Sequence, residues 1–531
     1  MSSVIKHKSV LCSLALLDDS SLFLEVFFFF FSGQKKIYNM AVGVVDFLKN
    51  KNILVIGGTG FLGKVFLEKI LRVQPDVGQI FTLVRAKDFQ SAKSKIQKEI
   101  ICSELFRLVQ ELYRGEYEKF MAQKIVPVVG DVSIDDDLGI EAEHRNEICS
   151  KVDIVVNLAA TTKFYERYDV SMGVNGVGAI NTINFCKKCP NLLILIHVST
   201  AYVNVGRTGI IAEETVKMAI DGLTMGPSEI KRECGLITKT LEEMRSTAHA
   251  EDSLKHKAET KRMKELGEER ARNFGWPNVY VFTKAIGEMM VEQMRGDMPV
   301  VILRPTIIES TLAEPFPGWM EGNRMLDPLF IGYGKGRIQT FVAENNLIVD
   351  VIPVDMVANC MIASMYKHAK QSDLFIYQVA TSVENPLFYD VGVDAAYKYF
   401  VSHPCTTKEG KMVEVKIPFI LRSMESFQQY MKLYYKIPIE MLHFASLLLC
   451  GLQKERYRQL LHKYDTVMKL AMLYQPFIFF QGKFDNSNTN FLWKGLSKED
   501  KQIFKFDVKR IDWTNYFYNI HIPGLLKYVS D

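Results

Sequence analysis

Tyr280 and Lys284 open an amphipathic stretch, Tyr280-Val-Phe-Thr-Lys284, and in a helix the i, i+4 spacing sets the phenol and the ammonium on one face. A phenol of pKa about 10 is a poor proton carrier near neutrality, but a neighbouring cation brings it into useful range. Ser199-Thr200-Ala201-Tyr202 follows the apolar run Leu192 to Val198 and offers two hydroxyls at a strand end. A third group is Gly57-Gly58-Thr59-Gly60-Phe61-Leu62-Gly63, which follows Ile53 to Ile56 and precedes the helical Lys64-Val-Phe-Leu-Glu-Lys-Ile-Leu. Glycines 57, 60 and 63 permit a tight turn, close approach of backbone to a pyrophosphate, and close helix-to-strand packing, while the helix N-terminus offers free N–H groups. Gly58 to Lys64 also spells the G-x-x-x-x-G-K of a nucleotide-triphosphatase loop, but that loop needs Ser or Thr for magnesium where Val65 stands. A Tyr-x-x-x-Lys pair alone arises by chance in many chains; together with the glycine turn and the hydroxyl pair it reads as a reaction centre beside a dinucleotide.

The end of the second strand discriminates between the nicotinamide cofactors, because an acid there binds the free ribose 2′-hydroxyl and repels a 2′-phosphate. Here it reads Val84-Arg85-Ala86-Lys87. Arg85 can stack on adenine and pair with the phosphate, Lys87 adds a second charge, and NADP(H) is the expected cofactor. Asp131, just after the third strand, can reach the adenine amino group; it also suits an ordinary turn.

Around these residues the chain alternates apolar runs with amphipathic stretches. The runs are Ile53 to Ile56, Ile80 to Val84, Ile125 to Val129, Ile154 to Leu158, Leu192 to Val198, Val300 to Leu303 and Phe375 to Val379. Continuous apolar runs of this length fit a parallel sheet covered on both faces, so the expected fold is α/β, a Rossmann-type doubly wound sheet. From Gly206 to Asn273 the sheet pattern stops, and the charged stretch 251 to 272 reads as a solvated helix. Glu314 to Gly336, rich in proline, glycine and aromatic residues, reads as a packed lid or pocket wall. After about Asn385 helical periodicity takes over, in 419 to 436, 438 to 463 and 465 to 480. The expected division is an amino-terminal extension (1–39), an NADP-binding reductase domain (40–385) and a mostly helical carboxyl-terminal domain (386–531).

In 531 residues, 65 basic and 61 acidic side chains leave a net charge of +4, too balanced for nucleic-acid binding through bulk phosphate neutralisation. Nine cysteines, odd in number and scattered, read as reduced thiols. Cys186-Lys-Lys-Cys189 has metal-site spacing but no second pair nearby, and no metal site is expected. The apolar stretches of residues 1 to 39 fall short of the ~18 residues a spanning helix needs. That segment has three acids and no arginine, which argues against a transit peptide.

The glycine turn, the Ser199-Thr-Ala-Tyr202 segment and Tyr280-Val-Phe-Thr-Lys284 together resemble the extended short-chain dehydrogenase/reductases. Ile307-Ile-Glu-Ser-Thr311, Glu314-Pro-Phe-Pro-Gly-Trp319, Glu321-Gly-Asn-Arg324 and Gly334-Lys-Gly336 resemble more narrowly the plant alcohol-forming fatty acyl-CoA reductases. So do Phe506-Asp-Val508, Ile511-Asp-Trp513 and His521-Ile-Pro-Gly524 near the end. The resemblance covers about residues 41 to 530. It implies Thr200 as the catalytic hydroxyl with Ser199 adjacent, Tyr280 as the acid and Lys284 as its partner. It implies Asn157, Ala159 and Ala160 passing the nicotinamide side of the cofactor, and Asn175 supporting the lysine through water. Two departures stand out: Thr200 and Tyr280 are separated by an unusually long charged insertion, and Ile56 stands where threonine is frequent.

The implied reaction is reduction of a long-chain acyl-CoA to a primary alcohol through an aldehyde, with NADPH as reductant. Rival readings are another extended-family reductase or epimerase acting on a nucleotide sugar or sterol, and a non-catalytic NADP-binding sensor, which would have no need of Tyr280 and Lys284. The resemblance also implies the cytosolic face of the endoplasmic reticulum, with peripheral attachment through helices such as Met441 to Leu452; the alternative is a chloroplast, should residues 1–39 act as a transit peptide.

Overall fold

The computed structural model describes residues 43–217, 225–247, 252–344, 346–407, 409–448 and 454–529. The expectations for residues 1–39 and for the end of the stretch Met441 to Leu452 lie outside these described residues. From Val44 onward the chain forms one compact unit.

Seven parallel strands form the central sheet: β1 (Ile53–Ile56), β2 (Ile80–Val84), β3 (Ile125–Val129), β4 (Ile154–Asn157), β5 (Ile194–Val198), β6 (Val300–Pro305) and β7 (Leu374–Val379). Their order is β7-β6-β5-β4-β1-β2-β3, with Ile53 opposite both Ile80 and Ile154. Both faces are covered, which is why the runs are continuously apolar rather than alternating. Ile53 and Val55 point into one core with Phe66, Ile70 and Val357; Leu54 and Ile56 point into the other with Ala179, Ile183 and Val291. The strand order reverses between β1, β2 and β4, and in such sheets the crevice at that reversal takes the ligand.

Four helices matter for the site: α1 (Phe61–Val73), α2 (Gly178–Lys187), α3 (Val279–Met294) and α4 (Lys454–Ile478). The α3 helix starts sharply because the Asn278 side chain accepts from the Val281 N–H at 3.0 Å, a side-chain cap on an otherwise free donor. The insertion before it folds as two helices, Pro227–Thr247 and Asp252–Asn273. The second is not solvated all round: Met263, Leu266 and Ala271 are buried, and Arg270 pairs with Glu233 at 2.6 Å.

Beyond the sheet two sequence readings change. Phe419–Leu421, expected as helix, is a short strand pairing with Thr340–Val342; its β-branched and aromatic residues lie along an extended edge. The span 438 to 463 belongs to two helices, Ile437–Leu448 and α4, not one. Glu314 to Gly336 contains a helix of its own, Asp327–Gly334. The carboxyl-terminal segment packs back on the sheet domain: Gly482–Phe484 pairs with Gly209–Ile211, and Phe504, Trp513 and Phe517 join the core that holds Phe66 and Ile70.

Candidate active site

Between β1 and α1, Gly57 has φ +90°, and a Cβ there would stand 2.8 Å from the Ala159 nitrogen. A Cβ on Gly63 would stand 2.5 Å from the Gly57 oxygen. Both positions exclude side chains, so the turn keeps its backbone bare and the start of α1 open, a shape that fits a dinucleotide pyrophosphate. The lid segment grips this corner from above. Phe61 stacks on Trp319 with ring centroids 5.5 Å apart, the Arg324 guanidinium lies 4.1 Å from the Phe61 ring centroid, and Lys64 pairs with Glu321 at 2.6 Å. Lys64, the lysine of the alternative triphosphatase reading, is therefore committed to the lid.

A cleft of about 670 Å³ runs from this turn to Ser199, Thr200, Tyr280 and Lys284. Thr200 lies two residues beyond β5 and caps the next turn; its hydroxyl donates to the Pro305 carbonyl at 3.4 Å and also interacts with the Tyr280 phenol. Burial pushes that phenol up to about 12, against the lowering effect of Thr200. Lys284, buried one turn further along α3, donates to the Val198 carbonyl at 2.6 Å. Burial draws its ammonium down to about 8, and the Glu288 carboxylate pulls the other way. The Ser199 hydroxyl is buried and bonds to no described group. Strand β5 and helix α3 thus bring all four proposed catalytic side chains to one wall.

The expected cofactor contacts divide into two sets. Gly57, Gly60, Phe61, Leu62, Gly63 and Ala160 line the cleft. Thr59 sits in the turn without lining it. Arg85 and Lys87 are exposed beyond the end of β2, and Lys87 has only a 4.0 Å contact with Asp88. Asp131 accepts from the Ser133 N–H at 2.9 Å and hydroxyl at 2.8 Å, so it also closes its own turn. Asn157 donates to Thr182 at 3.2 Å and accepts from the Ala159 N–H at 3.1 Å, shaping the strand end against Gly57. Asn175 donates to the Thr161 carbonyl and the Thr283 hydroxyl, both at 3.1 Å, and accepts from the Thr161 N–H. These direct bonds tie α3 to the loop after β4.

Several residues were missed in the sequence. Glu288 forms a fully buried ion pair with Arg304 beneath Lys284; the i, i+4 spacing from Lys284 was the available signal. Asp355 accepts from three successive N–H groups, Leu312, Ala313 and Glu314, at 2.9 to 3.0 Å, and so anchors the start of the lid. Glu309, Asp327 and His521 come together with their ligating atoms within 4.8 Å of one another, all fully buried. Burial and the Asp327 charge raise the Glu309 carboxyl well above its usual range. The sequence reading found no such cluster because His521 lies about 200 positions beyond the two carboxylates it joins. The seven described cysteines are free, as expected.

A doubly wound parallel sheet, a bare glycine turn at its reversal point and a Thr–Tyr–Lys wall define a nicotinamide-nucleotide reductase of the short-chain type. A family model described as "Male sterility protein" matches residues 55–361, and a second with the same description matches 434–531. The chain is 42% identical over 502 residues to "Probable fatty acyl-CoA reductase 5" of Arabidopsis thaliana, covering 92% of this chain and 99% of the relative. It is 38% identical over 491 residues to the "Alcohol-forming fatty acyl-CoA reductase" of Simmondsia chinensis, 92% and 98% covered. It is also 38% identical over 520 residues to "Fatty acyl-CoA reductase 2, chloroplastic" of Arabidopsis thaliana, 94% and 82% covered. Among solved structures, the terminal R domain from the myxalamid PKS-NRPS biosynthetic pathway shares the fold, with a TM-score of 0.55, 18% identity, and 90% and 91% coverage. The chain belongs to the fatty acyl-CoA reductase family.

Proposed function

We propose that this protein reduces a long-chain fatty acyl-CoA to the primary alcohol through an aldehyde, releasing CoA and using NADPH in each of two steps. The observation that carries this reading is the pairing of Tyr280 with Thr200 above the buried Lys284, at the end of a cleft walled by apolar side chains. Bound NADPH supplies hydride to the carbonyl carbon. The hydroxyls of Thr200 and Tyr280 donate to the oxygen as it gains charge, and collapse of the tetrahedral thioester adduct expels CoA thiolate and leaves the aldehyde. In the second round the same two hydroxyls hold the aldehyde oxygen, and Tyr280 gives the alkoxide its proton. Lys284 would hold the cofactor ribose, and solvent reprotonates the phenolate left behind. Aromatic side chains close the site: Phe164 stacks on Tyr280 at 5.8 Å and on Phe477 at 5.1 Å, limiting access of water.

The preference for NADPH rests on Arg85 and Lys87, exposed cations just beyond the end of β2, where a 2′-phosphate falls. The division near residue 385 is a division of labour: the part before it carries the reaction wall, and the part after it supplies cover and apolar walls. Membrane contact falls to the exposed apolar residues around Ile437–Leu448. Leu433, Tyr434, Met441 and Phe444 are each 58 to 67% exposed, and no helix among the described residues is long and apolar enough to cross a membrane. A short apolar face gives reversible binding, here to the cytosolic face of the endoplasmic reticulum. Alkaline carbonate should strip the protein from microsomes, and a fluorescent fusion should stay reticulate with or without residues 1–39; plastid signal that vanishes on truncation refutes that location.

Gas chromatography of lipids from yeast expressing residues 40 to 531 tests the activity. New primary alcohols, absent from a Tyr280→Phe control, are the expected result. Oxidation of no NADPH with any long-chain acyl-CoA by the purified protein would revive the non-catalytic sensor.

A further inference from the structure

The catalytic cleft does not end at Tyr280. Tyr202, Ile307, Met325, Tyr474 and Phe477 line both the cleft and a second cavity of about 60 Å³ behind it. Leu326, Leu329, Phe341, Val349 and Tyr389 line both that cavity and a third, of about 80 Å³. The three spaces therefore share walls in sequence and lead away from the reacting hydroxyls. Their direction is opposite to the glycine turn, whose residues line the first space only.

The lining chemistry is that of a hydrocarbon site. No charged side chain lines the third cavity, and the second has only Asp350. That carboxylate is turned away and satisfied, accepting from the Thr381 N–H at 2.8 Å, its hydroxyl at 3.0 Å and the Ser382 N–H at 3.0 Å. The walls come from three distant segments: the lid (Met325 to Leu329), the helix Tyr389–Ser402 and α4. At the far end stands Gly392, buried in its helix, where an added Cβ would meet nothing within 4 Å.

We infer that these cavities form one tunnel for the acyl tail, with the thioester at Thr200 and Tyr280 and the terminal methyl directed toward Gly392. The inference rests on the acyl-CoA reading above and deepens it by naming what measures the chain. CoA is polar and must leave the cleft on the solvent side, so the tail takes the only apolar exit among the described cavities that begins at the catalytic wall. Each methylene held in the tunnel is worth about fourfold in affinity, which makes the residue at the far end a length stop. Tyr474 and Phe477 on α4, together with Met325 of the lid, form the constriction between the cleft and the tunnel, so movement of either element admits or blocks the tail.

The test uses the full chain and a series of saturated acyl-CoAs of increasing length, with alcohol products measured by gas chromatography. Gly392→Leu adds four carbons to the far end in open space. It should lower the ratio of kcat/KM for the longest good substrate to that for one about four carbons shorter by about 10-fold or more. Leu329→Ala widens the middle and should move the same ratio the other way by about threefold or more. Alcohol formation with both ratios within about twofold of wild type overturns the tunnel while leaving the reductase reading intact. A wild-type protein that makes no alcohol from any member of the series sinks the reductase reading, and this inference with it.

Discussion

Replacing Tyr280 by phenylalanine removes one oxygen and keeps the ring, so the stack on Phe164 at 5.8 Å and the Asn278 cap of α3 survive. What is lost is a hydroxyl with two tasks. Burial holds the phenol up at about 12, so near neutrality it is protonated and acts as a donor to the substrate oxygen. Removing one preorganised donor to an oxyanion costs about 2.7 to 4 kcal/mol, or 10²- to 10³-fold in rate. Proton delivery is worth about 10²- to 10⁴-fold, but the same hydroxyl performs both tasks, so the effects do not multiply. Thr200 remains as a second donor. The expected loss in kcat is therefore about 100- to 1000-fold. Binding of NADPH should hold within about twofold, because the deleted atom contributes to charge development rather than to cofactor surface. Stopped-flow absorbance of NADPH gives the rate, product chromatography the alcohol, and fluorescence titration the cofactor Kd. Alcohol formation within about fivefold of wild type would refute the assignment of Tyr280 as the acid; an equal loss in NADPH affinity would show that the phenol is mainly a binding group.

Other perturbations test the surrounding structure. Because burial lowers the Lys284 ammonium to about 8, the cationic form is present below that pH and is lost above it; kcat/KM should fall as pH rises through about 8. Lys284→Met should abolish that limb while lowering both rate and cofactor affinity, and an unchanged alkaline limb would assign it to another group. Glu288→Gln leaves the fully buried Arg304 guanidinium without its counter-charge and should destabilise the fold by about 3 to 5 kcal/mol; a urea midpoint equal to wild type would show that Arg304 finds another partner. Arg85→Asp should shift the ratio of NADPH to NADH efficiency toward NADH by about 10-fold or more through repulsion of the 2′-phosphate. An unchanged ratio moves that contact to Lys87.

The sheet could be read from the chain because its strands are largely buried and a strand covered on both faces favours apolar residues along a continuous run; Ile53 to Ile56, Ile80 to Val84 and Ile125 to Val129 match the observed strands end to end. The reaction wall was legible for a related reason. Tyr280 and Lys284 share one helix face, and a turn that must carry a pyrophosphate needs glycine at Gly57 and Gly63, where a Cβ meets backbone within 3 Å. Such constraints are local, so they leave a mark in local sequence. Phe419–Leu421 shows the limit: its apolar residues fit a helix face or a strand edge, and only its partner, Thr340–Val342, selects the strand.

Amino-acid order by itself thus determined the parallel sheet, the bare glycine turn and the shared helix face of Tyr280 and Lys284, since each depends on neighbours within a turn or a strand. Tertiary structure alone decided the rest. It brought Glu309, Asp327 and His521 into one buried cluster, bonded Asn175 to Thr161 and Thr283, hung the lid on Asp355 and set two apolar cavities next to the cleft with shared walls. In each case at least one partner comes from a different segment of the chain. Their contact follows from how the layers pack, and packing depends on volumes and directions that no short stretch of sequence carries.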